Sequence, residues 1–253
     1  MDRGGYLRLR QICLVAPALA PVEADITALL GVPVCHRDPN VAAYGLENAL
    51  WPLGPDILEV VAPVRDGTAA GRFLERSGGR GGYMAIFDCA DSAALQRHAE
   101  SMGVRTANLI RHPGYRGVQL HPKDCRAAML EFSTTEGGEA LDGPYHPAGP
   151  DWTKIVRVGG LPMLIGAEVT APHPASLAAH WARIMCARVV EGPSILLDHG
   201  RIDFVPGEAE RLDGIMLAVA DVAATRAVAE ARGLVRDGAI RLSGVRVVLL
   251  PAG

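Results

Sequence analysis

Three observations predict an α+β fold made of repeated strand–helix–strand–strand–strand units. Helix-like runs end at Gly31 and Gly103, and each is followed by an apolar strand carrying one glutamate: Ile57-Leu58-Glu59-Val60-Val61 and Met129-Leu130-Glu131-Phe132. Both the glycines and the glutamates are 72 residues apart, 31 to 103 and 59 to 131. The pattern then returns in a shorter form. Helix end to final strand takes 16 residues in two late units (187 to 203 and 233 to 249), against 28 in the two early ones (31 to 59 and 103 to 131). A strand cannot leave an edge and an apolar face bare, so such units pack in pairs. The expected architecture is therefore tandem βαβββ modules pairing into two open, barrel-like mixed sheets with helices outside, each pair enclosing a concave face suited to a ligand.

The elements follow in order. In the first unit a strand over 7–15 leads past Pro17 into a helix over 22–30. Ile26, Leu29 and Leu30 form its buried face and Gly31 its C-terminal cap. Strands are expected over 32–36, 42–53 and 57–61. The connecting stretch 65–82 reads as a short helix and a glycine-rich entry to the next strand. The second unit has a strand over 83–88, a helix capped by Asp91 or Ser92 with Leu95, Ala99 and Met102 on one face, and strands over 104–110, 117–120 and 129–133. The Pro/Gly-rich stretch 136–160 reads as a linker between a first pair, 1–135, and a shortened second pair, 161–253. In the second pair Met163–Ala171 is a strand, Pro174 opens a helix with Leu177, Trp181 and Ile184 as its stripe, and Asp221 caps the last helix. Strands are expected over 188–190, 195–197, 201–205, 215–219, 239–242 and 245–250.

Composition narrows the function classes. With 49% hydrophobic and 21% charged residues the chain is an ordinary folded protein, and its formal net charge of −3 gives no footprint for nucleic acid. The five cysteines, Cys13, Cys35, Cys89, Cys125 and Cys186, form no CxxC pair and read as reduced thiols. No apolar run has the length of a membrane span and the N-terminus shows no signal core, so the expectation is a cytoplasmic protein, monomer or homodimer, without membrane or nucleic-acid partners. The glycines at 78–82 lack the helix and the Lys-Ser/Thr of a phosphate loop, so no nucleotide cofactor is expected.

A carboxylate set into an apolar strand faces either solvent or a pocket. Two of them in register, Glu59 and Glu131, favour a pocket, where desolvation would raise their pKa and suit proton abstraction beside a carbonyl. His121 precedes Glu131 by ten residues and stands either in the pocket, as acid/base or ligand, or at the His-Pro turn. Asn48, Trp51 and Tyr83 are candidate pocket walls, with core packing the competing role for the two rings.

The stretches Leu9-Arg10-Gln11-Ile12-Cys13-Leu14-Val15, Leu58-Glu59-Val60-Val61-Ala62-Pro63 and Gly82-Tyr83-Met84-Ala85-Ile86-Phe87 occur in that order, followed by Asp91. With His121-Pro122-Lys123-Asp124 and Leu130-Glu131-Phe132, they resemble the vicinal oxygen chelate superfamily of glyoxalases, bleomycin-resistance proteins and dioxygenases. Gly45-Leu46-Glu47-Asn48-Ala49-Leu50 and Gly79-Arg80-Gly81-Gly82-Tyr83-Met84 are more narrowly similar to a bacterial glyoxalase-like subgroup of unassigned activity.

The resemblance implies a site on the first and last strands of the paired modules, at Gln11, Glu59, Met84 and Glu131. Glu59, Glu131 and the Gln11 oxygen, with His121, would be hard donors for a divalent metal, whereas the Met84 thioether is a soft one. The matching positions of the second pair, Glu168, Asp203, Gly214 and Leu249, include two that cannot ligate. Two readings stay open. One is a glyoxalase-like lyase, isomerase or epimerase acting on a small carbonyl or hydroxy-carbonyl compound through Glu59, Glu131 and His121, with or without metal. The other is a non-catalytic protein of the bleomycin-resistance kind that sequesters a small-molecule ligand. The metal ligands would be Gln11, Glu59, His121 and Glu131. Gln11, Asn48, Trp51, Tyr83 and Met84 would line the ligand.

Overall fold

The computed structural model describes residues 5–156 and 162–252. Residues 157–161, at the predicted linker's end and the second pair's start, lie outside the described residues. The first module comprises β1 (Leu7–Val15), α1 (Leu19–Leu30), β2 (Leu46–Leu53) and β3 (Asp56–Pro63), followed by α2 (Ala69–Arg76). The second comprises β4 (Gly82–Cys89), α3 (Ser92–Ser101), β5 (Thr106–His112), β6 (Tyr115–Leu120), a short α4 (Pro122–Cys125) and β7 (Met129–Thr135). The third comprises β8 (Met163–Ala171), α5 (Pro174–Ile184), β9 (Val189–Val190), β10 (Ser194–Leu196) and β11 (Arg201–Pro206). The fourth comprises β12 (Arg211–Val219), α6 (Val222–Ala231), β13 (Val235–Arg236), β14 (Ala239–Leu242) and β15 (Val245–Pro251).

These strands form two mixed sheets, in the orders β2-β3-β1-β4-β7-β6-β5 and β13-β14-β15-β12-β8-β11-β10-β9. In modules two, three and four the last strand runs parallel to the first, as Ile86↔Glu131, Asp203↔Glu168 and Leu217↔Leu249 show. The hairpins within each module are antiparallel. The expected tandem βαβββ architecture is therefore the observed one, with an isolated bridge and a 3-10 turn in place of one strand of the first module.

Local chemistry explains where the elements begin and end. Asp91 and Asp221 cap α3 and α6 by accepting from Ala94 N at 2.8 Å and Ala224 N at 2.9 Å. Helix α1 starts three residues earlier than its apolar stripe suggests, because Pro21 is tolerated in a first turn whose N–H groups have no intrahelical partner. Two sequence expectations need correction. Residues 32–36 form no strand, only an isolated bridge between His36 and Leu50, since Pro33 lacks the N–H a ladder requires. Residues 39–44 are a 3-10 turn, not the start of a strand: Pro39 opens it, the Asp38 side chain accepts from Asn40 N, and Gly45 ends it at φ 71°. β2 then begins at Leu46.

By contacts the chain gathers into two units. One holds the chain through Gln11, Met84–His146 and Gly166–Leu212, and the other holds Ile12–Tyr83, Pro147–Ile165 and the chain from Asp213. Each unit thus takes one early and one late module, and strands β1, β4, β8 and β12 each pass from one unit to the other. In the first unit, the Trp181 ring packs edge-on against Phe204 at 5.4 Å, while its N–H donates to the Cys125 carbonyl at 2.8 Å. In the second unit, the fully buried Trp51 donates to Thr27 Oγ1 of α1 at 3.1 Å.

The linker is anchored in the first unit along part of its length. Arg8 of β1 donates to the carbonyls of Gly138 at 2.7 Å and Glu139 at 2.9 Å, and pairs with buried Asp88. Burial raises the Asp88 pKa, and the Arg8 charge opposes that rise.

Candidate active site

Glu131 lies on β7 and is 3% exposed. Gln119 is its partner across the β6–β7 ladder and donates through Nε2 to Glu131 Oε2 at 2.8 Å. Tyr115, paired with Thr135, reaches back along the same face and donates to Glu131 Oε1 at 2.9 Å. Side chains two and four residues apart on a strand share a face, which brings Tyr115, Gln119 and Glu131 together. Gly117 makes the reach feasible. A Cβ at that position would lie 2.9 Å from Glu131 Oε1 and 3.0 Å from the Tyr115 hydroxyl, so only glycine leaves room for this bond.

Burial, then the Glu131 charge and Tyr145, hold the Tyr115 pKa well above that of an ordinary phenol, with Ser133 opposing. Tyr115 therefore stays protonated and donating across the neutral range. Its ring is flanked by His112, centroids 6.2 Å apart, and by His146 at 4.7 Å.

Gln11 and Met84 belong to the same unit. Gln11 Oε1 accepts from the Tyr145 hydroxyl at 3.0 Å. Met84 pairs with Met129, two residues before the Ile86↔Glu131 pair, so it shares the Glu131 face of these strands, and it is 7% exposed. His121 is engaged elsewhere. It is the N-cap of α4, its Nδ1 accepting from Lys123 N at 3.3 Å, with Arg105 Nη2 also 3.3 Å from that nitrogen. Of the two sequence readings, the His-Pro turn describes this position.

Glu59, on β3 in the other unit, is 8% exposed. Asn48 on β2 donates to its Oε1 at 2.7 Å and is itself oriented by the Asp38 backbone N–H, which donates to Asn48 Oδ1 at 2.9 Å. Asn48 lines a cleft of about 270 Å³ with Arg37, Asp38, Leu46 and Glu47. Trp51 and Tyr83 are packing residues. Trp51 has no exposed surface, and the Tyr83 ring packs tilted against Phe73 of α2, centroids 5.0 Å apart, burial pushing its pKa up to about 12.

The donors present do not fit a divalent cation. Among the described residues no three His, Cys, Asp or Glu side chains gather as a metal group. The oxygen that Gln11 would contribute accepts from Tyr145, and Met84 offers only a soft sulfur on the Glu131 face. In the late modules Asp203 is paired with Glu168 and bridged to Arg201 at 3.1 Å.

Sequence reasoning missed Tyr115, Gln119 and Tyr145. Gln119 and Tyr115 carry a signal once the β6–β7 register is known, whereas Tyr145, in the linker, carries none.

No family model matches the chain, and no curated protein matches it. Among solved structures, a hypothetical protein from Staphylococcus aureus matches 97% of this chain and 99% of its own, with TM-score 0.68 at 10% identity. That likeness is one of fold, extends over nearly the whole chain, and agrees with the architecture that the superfamily resemblance implies. A methylmalonyl-CoA epimerase variant of Streptomyces coelicolor in complex with 2-nitronate-propionyl-CoA is 25% identical over 51% of this chain and 98% of its own, with TM-score 0.46. Methylmalonyl-CoA epimerase from Mycobacterium tuberculosis is 22% identical over 53% of this chain and 93% of its own, with TM-score 0.45. Among the described residues no helix is long and apolar enough to cross a membrane.

Proposed function

We propose that this protein is a glyoxalase-like enzyme of the isomerase or epimerase type, with Glu131 moving a proton on the carbon next to the carbonyl of a small compound. The observation that carries the reading is a buried strand carboxylate with each oxygen held by a neutral donor, Tyr115 on one and Gln119 on the other. Such a carboxylate is fixed in position and orientation by two side chains of one strand face, as a general base must be.

In the proposed step Glu131 takes the proton as the C–H bond breaks, and the bonding pair moves into the carbonyl to leave an enolate. The proton on Glu131 then passes to a neighbouring carbon in an isomerisation, or to water in an epimerisation, where the carbon takes a proton from water on its other face. Atoms and charge balance with no co-reactant.

The test is deuterium uptake from D2O, read by proton NMR, across a panel of short 2-oxo acids, hydroxy-ketones and acyl thioesters. The wild-type chain is expected to label at least one compound beside its carbonyl, and Glu131→Gln to lower that rate by about 10³-fold with the fold intact. A wild-type chain that labels none of them, or a Glu131→Gln chain that labels as fast, overturns the proposal. Buried Met84 and half-buried Met129 on the Glu131 face favour a second reading, sequestration of an apolar ligand. It predicts tight binding with no label uptake.

A further inference from the structure

Helix α2, in the stretch that connects the first two modules, carries more positive charge than its packing uses. Thr68 caps it, Oγ1 accepting from Gly71 N at 3.0 Å, which fixes where each side chain of α2 falls from the first turn onward. With about 3.6 residues per turn, Arg72 and Arg76 point within roughly 40° of one another and Phe73 lies roughly 60° further round. Both arginines are exposed, whereas Phe73 is half-buried. Phe73 closes against the Tyr83 ring of β4, centroids 5.0 Å apart, and so sets the two guanidinium groups beside that phenol. All four residues belong to the second unit.

Like charges four residues apart on a helix repel, so their placement favours a counter-charge between them. Among the described residues the protein supplies none. Arg80, four residues further on, is paired with Asp213 at 3.1 Å, but neither Arg72 nor Arg76 makes an ion pair. Glu75 is exposed on the other flank of Arg72 and is paired with neither. Arg72 gives one N–H to the Gly67 carbonyl, which steadies its guanidinium and leaves its other donors available. Tyr83 is half-buried, and its hydroxyl has no hydrogen-bond partner among the described residues. Burial pushes the Tyr83 pKa up to about 12, Cys13 adds to the rise, and the Arg72 and Arg76 charges oppose it. The hydroxyl therefore keeps its proton and meets an arriving anion as a donor. We propose that Arg72, Arg76 and Tyr83 form a binding site for a phosphate monoester. Its dianion, present above a second pKa of about 6, matches the two uncompensated positive charges, and its three terminal oxygens match two guanidinium groups and one hydroxyl. The inference is independent of the chemistry proposed for Glu131.

The test uses methyl phosphate, titrated calorimetrically into the full-length chain at a pH above the second phosphate pKa. The wild-type chain is expected to bind it one-to-one, and to bind dimethyl phosphate, which carries a single charge, about tenfold more weakly. Arg72→Gln and Arg76→Gln should each weaken methyl phosphate binding by about tenfold, and Tyr83→Phe by about fivefold. Arg226→Gln removes the same charge from the exposed surface of α6 and should leave the affinity within about twofold. A wild-type chain that does not bind methyl phosphate overturns the proposal. So does an Arg226→Gln loss equal to those of Arg72→Gln and Arg76→Gln, because the attraction would then come from overall charge. Should Tyr83→Phe fail to fold, the two exposed arginine variants still decide. Co-sedimentation with phosphatidylcholine vesicles carrying phosphatidic acid separates the two sources of the group. Sedimentation that is lost in Arg72→Gln assigns the monoester to a lipid headgroup, and methyl phosphate binding without sedimentation assigns it to a soluble compound.

Discussion

Glu59 and Glu131 occupy equivalent places in the first two modules, yet their surroundings differ in kind. Glu131 has a phenol on one oxygen and an amide on the other, both reaching it along the β6–β7 face. Glu59 accepts from the amide of Asn48, which in turn lines a cleft. A repeat in the backbone therefore carries over the carboxylate but not its partners. Partners come from neighbouring strands and loops, and those are where the modules diverge: Tyr115 sits at the end of the β5–β6 hairpin, whereas in the first module a 3-10 turn over Pro39–Tyr44 leads into β2. The second carboxylate in a duplicated site is thus free to take another task.

The sharpest way to break this comparison is paired removal of the two charges. Glu131→Gln is expected to cost about 10³-fold in label uptake and Glu59→Gln less, so an equal or greater loss in Glu59→Gln would show that the better-held carboxylate is not the working one. Next in size is Gly117→Ala. The added methyl must displace either Tyr115 or Glu131, and overpacking of this kind costs about 1–3 kcal/mol in chemical denaturation. A Gly117→Ala chain with wild-type stability would mean that the Tyr115–Glu131 bond is not fixed as described.

Asn48→Ala and Gln119→Ala each remove one donor from a buried glutamate, at about 1–3 kcal/mol apiece. Asn48→Ala should be the costlier of the two, because the Asp38 N–H also loses its acceptor.

The smallest effect is the pH dependence of stability. Tyr115 holds its proton more tightly when folded, so its contribution is complete below pH 10, the ordinary value. Above pH 10 the unfolded chain releases a proton that the folded chain keeps. Stability should then fall by up to about 1.4 kcal/mol per pH unit until the folded group also ionises. Tyr115→Phe should lessen that slope by its own share, leaving the decline that Tyr6, Tyr83 and the thiols Cys35, Cys89 and Cys125 supply, all of them pushed up to about 11 or 12 by burial. An unchanged slope would place Tyr115 in a wetter setting than Glu131's burial implies.

Much of the fold was legible because its signals are local. Asp91, Asp221 and Gly31 mark helix ends by satisfying backbone groups a few residues away, and the 72-residue repeat needs only counting. The partners of Glu131 were not legible for the opposite reason. Whether Gln119 faces Glu131 depends on the register of two strands separated by α4, and a shift of one residue would turn it to the other face. The linker misled in a different way: Pro and Gly there describe a chain that can turn sharply, which is compatible with tight seating as well as with freedom. Nothing in the composition of 136–146 indicates that β1 carries two buried guanidinium groups to receive its carbonyls.

That seating bears on how the molecule can be divided. A chain ended after Thr135, at the boundary that the sequence recommends, would strip Arg8 of two acceptors and Arg10 of one, inside an interior where each lost partner costs about 1–3 kcal/mol. It would also carry away the phenol that faces Gln11. A piece meant to stand by itself must keep the chain through Tyr145 at least, so the natural cutting point lies beyond the segment that looks most like a hinge.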